Sequence, residues 1–108
     1  MTTEIPVHRG TGNVFADLGF DNPEEMRLRA DLVQQMREII ARRKLTQMAA
    51  AELLGIKQPD LSSLLRGRLT KYSLERLLRF MTILDRDVKI VVQAKPRNRP
   101  ARITLAVS

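Results

Sequence analysis

The sequence predicts a mainly α protein, a bundle of four to five helices followed by a C-terminal β-strand. Three observations predict it. Apolar residues recur at helical spacing from Leu28 to Leu84. Asn, Thr and Ser stand where such stretches begin, and Gly follows two of them. Past Asp85 the period changes, and Val88, Ile90 and Val92 alternate with Lys89, Val91 and Gln93.

Each element has a local reason. The first helix opens at Asn22-Pro23-Glu24-Glu25, with Asn as N-cap, Pro in the first helical position and Glu25 placed for a capping-box return bond. Leu28, Leu32, Met36, Ile39 and Ile40 form its apolar stripe, and Arg42-Arg43-Lys44 sets cations at its negative dipole end. The second helix runs from Thr46 to Gly55, and Ala49-Ala50-Ala51 gives it a slim side that another helix can approach closely. A third opens at Gln58-Pro59, where proline removes no intrahelical bond, and ends at Arg66-Gly67. Ser73 caps a fourth, whose stripe is Leu74, Leu77, Leu78, Met81 and Leu84. Residues 87–94 read as the strand, residues 95–102 as a basic turn-rich stretch, and residues 103–107 as a second, weaker strand.

Bulk properties narrow the function. At 108 residues and 44% hydrophobic, the chain is long enough for one domain with a modest core. The absence of cysteine excludes a disulfide scaffold, a Cys-ligated zinc site and a thiol nucleophile. His8 is the single imidazole and lies in a stretch without periodicity, so no metal site or cofactor is expected. There is no nucleophile–base–orienter set and no Gly-rich phosphate loop, which argues against an enzyme. With no membrane-spanning run and no signal peptide, a cytoplasmic location is expected.

The net charge of +7 is placed unevenly. Residues 21–56 balance six acids against six bases, whereas residues 57–84 and 85–108 each hold six bases against two acids. All the excess lies from Lys57 onward, as expected of a surface that meets a polyanion.

That excess begins at GIKQPDLSSLLRG, residues 55–67. Leu61, Leu64 and Leu65 turn one side of the segment inward, and Gln58, Ser62, Ser63 and Arg66 fall on the other. Two short helices joined by a tight turn, the first alanine-lined and stopped by glycine, form a helix-turn-helix. Its second helix enters the DNA major groove. Gln58 suits a bidentate pair with adenine, Ser62 and Ser63 bond either partner, and Pro59 offers methylenes to a thymine methyl. Arg66, Arg68 and Lys71 follow where phosphates would lie.

LTQMAAAELLGIKQPDLSSLLRG resembles the helix-turn-helix of the Xre/Cro-like repressors, through Thr46-Gln47, Ala51, Gly55-Ile56, Gln58 and Gly67. The resemblance implies a lambda-repressor-like bundle in which Gln47 bonds a phosphate and helps orient Gln58. It places Gln58, Pro59 and Ser63 at base-reading positions and Arg66 at a backbone-contacting one. Lys57 stands where that pattern usually has a Ser or Thr cap, and adds a cation for a phosphate. NVFADLGF (residues 13–20), LLRGRL, SLERLLRFMTIL and DVKIVVQAKPR together look like the HigA-type antitoxin branch. That branch implies neutralisation of a RelE/HigB-like ribonuclease toxin and repression of the protein's own operon, with a stand-alone Xre regulator as the alternative.

The expected organisation is therefore an arm over 1–20, an Xre-type DNA-binding domain with its strand over 21–94, and a basic tail over 95–108. Val14, Phe15, Leu18 and Phe20 either fold onto the core or dock a toxin. The strand, through Val88, Ile90 and Val92, pairs with a symmetry mate in a homodimer, with residues 103–107 as a hairpin, or with a partner protein.

Overall fold

The computed structural model describes residues 22–108, so Val14, Phe15, Leu18 and Phe20 lie outside the described residues. Four helices carry the fold: α1 (Pro23–Arg42), α2 (Gln47–Leu54), α3 (Gln58–Leu65) and α4 (Leu74–Ile83). α1 packs on α3 and α4, and α2 packs on α3 and α4. No further helix is present among the described residues.

The N-caps are those the sequence specifies. Asn22 accepts from the backbone N–H of Glu24 at 2.8 Å and of Glu25 at 3.4 Å. Thr46 Oγ1 accepts from Ala49 at 3.0 Å, and Ser73 Oγ accepts from Arg76 at 3.1 Å. These bonds satisfy first-turn donors that have no intrahelical partner. Glu25 departs from its expected capping-box role. Its carboxylate receives the Arg29 guanidinium at 2.9 Å, an ionic partner one turn along the same helix.

All four helices end in the same way, in a left-handed residue flanked by paired return bonds. Gly55 (φ 74°) and Gly67 (φ 106°) hold that position after α2 and α3. Lys44 (φ 58°) and Asp85 (φ 66°) hold it after α1 and α4. Beyond Lys44, for example, the Leu45 N–H donates to Ile40 O at 3.0 Å, and Lys44 itself donates to Ala41 O at 3.0 Å. Lys44 therefore does more than supply a cation to the helix dipole: it makes the turn that launches α2.

The core draws on every helix. Leu32, Val33, Met36, Ile39 and Ile40 come from α1, Ala50, Ala51 and Leu54 from α2, and Leu61 and Leu64 from α3. Leu77, Phe80, Met81 and Leu84 complete it with Tyr72, whose ring meets Phe80 edge-on at 5.4 Å between centroids. Phe80 and Tyr72 take central places that the leucine stripe alone does not reveal; Leu28, Leu74 and Leu78 are only half-buried.

The expected strand over 87–94 is not formed in the single chain. No β-ladder is present among the described residues, and Ile90 and Val92 are 79% and 94% exposed. The weaker strand over 103–107 is absent too, which removes the internal hairpin. Its backbone is committed elsewhere: the Ile103 N–H donates to Glu24 Oε2 at 2.6 Å, and Leu105 packs against the core. Alternating β-branched residues favour an extended chain, but a strand exists only where a second edge meets it.

A lysine held at φ 58° carries a steric cost that glycine does not. Lys44→Gly is expected to stabilise the fold by about 0.5–1 kcal/mol, measured as a rise in denaturation midpoint without a change in slope. A lower midpoint would mean that Lys44 makes contacts worth more than its backbone strain.

Candidate nucleic-acid interface

The interface candidate is α2, the turn Gly55-Ile56-Lys57, and α3. Burial divides α3 into two sides. Leu61 and Leu64 point inward with 0% and 1% exposure, while Gln58 and Pro59 are exposed and Ser62 and Ser63 half-buried. Ala50 and Ala51 are buried beside them at 0% and 2% exposure, whereas Ala49 faces outward. Without side chains beyond Cβ, that wall of α2 lets α3 sit close. Gln47, the first residue of α2, is exposed, as are Lys57, Arg66 and Arg68.

The ends of α3 are accounted for group by group. Lys57 caps it with extended backbone and no side-chain bond, as its departure from Ser or Thr leads one to expect. The omission costs little. Pro59 has no N–H, and the N–H groups of Asp60 and Leu61 already reach Lys57 O at 3.0 and 3.1 Å. At the far end, Ser62 O accepts from Arg66 N–H, Ser63 O from Arg68 N–H, and Leu64 O from Gly67 N–H. The last carbonyl, Leu65 O, accepts from Arg37 Nη2 of α1 at 2.6 Å.

Two cations expected at phosphates have partners within the chain. Lys71 Nζ pairs with Asp60 Oδ1 at 3.1 Å, tying the loop after α3 to its first turn. Arg66 Nη1 donates to Ser62 Oγ at 3.1 Å, so the guanidinium leans along the polar side of the helix. Both contacts are solvent-exposed and each is worth no more than about 1 kcal/mol, so both are exchangeable. The Ser62 hydroxyl keeps its own proton to donate.

Sequence reasoning missed the residues of α1 that hold α3 in place. Arg37 bonds Leu65 O, and the buried Arg29 donates from Nη1 to Leu69 O at 3.0 Å while its Nη2 meets Glu25. Arg29 stands in phase with Leu32, Val33, Met36 and Ile40, and an arginine inside an apolar stripe is the signal that finds it. Arg37 carries no such signal, since it lies on the exposed face of α1.

Arg37 supplies a cation to the negative end of α3, worth about 0.3–1 kcal/mol. Arg37→Met is expected to lower stability by that amount and to speed amide exchange selectively in the last turn of α3 and in residues 66–69. Exchange that rises evenly along the chain would show that Arg37 has no particular hold on α3.

No helix among the described residues is long and apolar enough to cross a membrane, and no cluster of metal-ligating side chains occurs among them. A family model described as a helix-turn-helix domain matches residues 14–93. Among solved structures, one described as a candidate XRE family transcriptional regulator is 41% identical, with a TM-score of 0.75 over 79% of this chain and 97% of that one. No curated protein sequence matches. The match spans α1 to α4, including both helices of the candidate interface; the chain belongs to the XRE-like helix-turn-helix family.

Proposed function

We propose that this chain is a sequence-specific DNA-binding repressor that acts as a homodimer, and that it is the autoregulating antitoxin of a type II toxin–antitoxin pair. The coarser statement, a DNA-binding transcriptional regulator, follows from family membership. The observation that carries the sequence-specific reading is the two-sidedness of α3. Leu61 and Leu64 are buried in the core they share with Ala50 and Ala51, so exposed Gln58 and Pro59 and half-buried Ser62 and Ser63 make up the other side of a helix short enough to lie in a major groove.

In this reading Gln58 pairs with an adenine and Ser62 and Ser63 bond base edges. Gln47, Lys57, Arg66 and Arg68 meet phosphates, and Lys71 exchanges Asp60 for one. A single reading helix makes few base contacts. At about 1–3 kcal/mol each, these fall short of the roughly 4–10 kcal/mol that separates specific from non-specific binding. Two copies with half-sites about 34 Å apart make up the difference. Residues 87–94, whose alternating β-branched side chains favour an extended chain, suit an isologous contact. Antiparallel self-pairing centred on Ile90 sets Val88 opposite Val92 on one face, an apolar pairing of the kind that stabilises sheets.

The antitoxin role rests on resemblance in residues 13–20 and in the segments after α3. The stand-alone regulator is favoured by the description of the 41% identical structure. Co-expression with the neighbouring reading frame separates them: a stoichiometric complex that abolishes a ribonuclease activity supports the antitoxin, and its absence leaves the regulator.

Gln58→Ala is expected to cost about 1–3 kcal/mol of binding and to relax preference at one base pair. Arg66→Ala should weaken all duplexes alike and reduce the salt slope by about one unit. Unchanged preference after Gln58→Ala, in titrations against selected and unrelated duplexes, would displace α3 as the reading helix. Ile90→Asp is expected to give a folded monomer in sedimentation, because the side chain is 79% exposed in the single chain. A dimer surviving that change would move the interface away from residues 87–94.

A further inference from the structure

We propose that residues 95–102 form a second phosphate-binding element, which follows the DNA backbone beyond the base pairs read by α3. The inference rests on the DNA-binding reading above and extends it to a part of the chain outside the helix-turn-helix. Its partner is the sugar-phosphate backbone of duplex DNA flanking each half-site.

The first ground is charge. After Asp87 the sequence contains no further acid, while Lys89, Lys95, Arg97, Arg99 and Arg102 contribute five cations. None of these five forms an ion pair among the described residues. Several cations of the helical body differ: Arg42 faces Glu38, Arg43 faces Asp85, and Arg79 faces Glu75. The contacts within the basic segment are to neighbouring exposed carbonyls, from Lys95 to Pro96 O and from Arg99 to Pro100 O. Such contacts place side chains without neutralising them. Arg99 is half-buried and the other four cations are exposed.

The second ground is where the segment is tethered. The residue after Arg102 donates its backbone N–H to Glu24 in the first turn of α1 at 2.6 Å, and Leu105 packs into the core two residues later. Beside Glu24, Glu25 holds Arg29 at 2.9 Å, and Arg29 holds Leu69 O at 3.0 Å. Leu69 adjoins Arg68, in the loop that leaves α3. A chain of three hydrogen bonds thus fixes the end of the basic segment at the edge of the domain that carries Arg66 and Arg68. From that anchor eight residues reach at most about 29 Å, several phosphates along a strand. Pro96 and Pro100 limit the conformations lost on ordering.

The test is a titration of full-length protein against duplex DNA over a salt series. It uses a duplex selected by the wild-type protein from a random pool, an unrelated duplex, and the selected duplex trimmed of its flanks. The variant Lys95→Gln/Arg97→Gln/Arg99→Gln/Arg102→Gln should bind the two long duplexes more weakly by the same factor, leaving their ratio unchanged. Its slope of log K against log salt should fall by about 2–4 units, at roughly 0.9 per phosphate contact. On the trimmed duplex, variant and wild type should converge. The exposed pair Arg97→Gln/Arg102→Gln, which spares half-buried Arg99, should show about half the change in slope, so a folding defect in the larger variant leaves the test intact. Equal slopes for variants and wild type would overturn the proposal and make the segment a solubility charge. A slope that falls equally on the trimmed duplex would overturn it too, because the cations would then act within the half-site. Failure of the base-reading assignment looks different: the wild type would select no sequence and Gln58→Ala would change nothing, whatever the slopes.

Discussion

The contact between α3 and the alanine face of α2 sets the depth of everything the protein presents to a partner. α3 has eight residues, about 12 Å of helix. That is too short to hold its shape in water on its own. It is helical because Leu61 and Leu64 are removed from water against the core, where Ala50 and Ala51 leave room for them. Each leucine contributes roughly 1.5–3 kcal/mol by burial, more than any capping bond at the ends of this helix. Once the inward leucines are fixed, the 3.6-residue period leaves no choice about Gln58, Ser62 and Ser63. Larger side chains at positions 50 and 51 would displace the helix before they disturbed its chemistry.

Polar bonds refine what burial positions. The carbonyls at the end of α3 are taken up by three backbone N–H groups and by Arg37. Arg29 grips the following loop through Leu69. α1 therefore shares its core with α3 and holds the end of that helix through Arg37 and the loop beyond it through Arg29. This division also sorts the charge. Arg29, Arg42, Arg43 and Arg79 of the helical body are matched with acids, whereas none of the cations from Lys57 to Arg68 or beyond residue 88 forms an ion pair among the described residues. Lys71 stands between the two groups, neutralised by Asp60 but exposed.

Where a helix starts and stops is written locally, and there the sequence was legible. Asn22, Thr46 and Ser73 cap as their chemistry requires, and Gly55 and Gly67 take left-handed turns. The outward set on α3 was equally legible, because it is the complement of the leucines. What escaped depends on partners distant in sequence. Glu25 bonds Arg29 instead of its own cap, Lys71 finds Asp60 across a loop, and Arg37 reaches a carbonyl 28 residues away. The left-handed turns at Lys44 and Asp85 escaped for a different reason: lysine rarely adopts that conformation, aspartate does so less readily than glycine, and both are held there by the return bonds around them. The strand is the clearest limit: alternation records a tendency to be extended, and pairing needs a second edge.

That missing edge has a physical consequence of its own. Natural proteins blunt free extended segments with lysines, prolines or a covering element. Residues 87–94 carry one lysine and no proline, yet Val88, Ile90 and Val92 share one side of an extended chain. The prolines stand just outside, at 96 and 100, where they bound the segment without protecting it. Bare β-branched residues of this length are an aggregation hazard for a lone protein and a good interface for a paired one. A single reading helix, for its part, binds too few base pairs to discriminate a site. The twofold pairing proposed above answers both problems through the same eight residues, covering the apolar face and bringing a second α3 to the DNA.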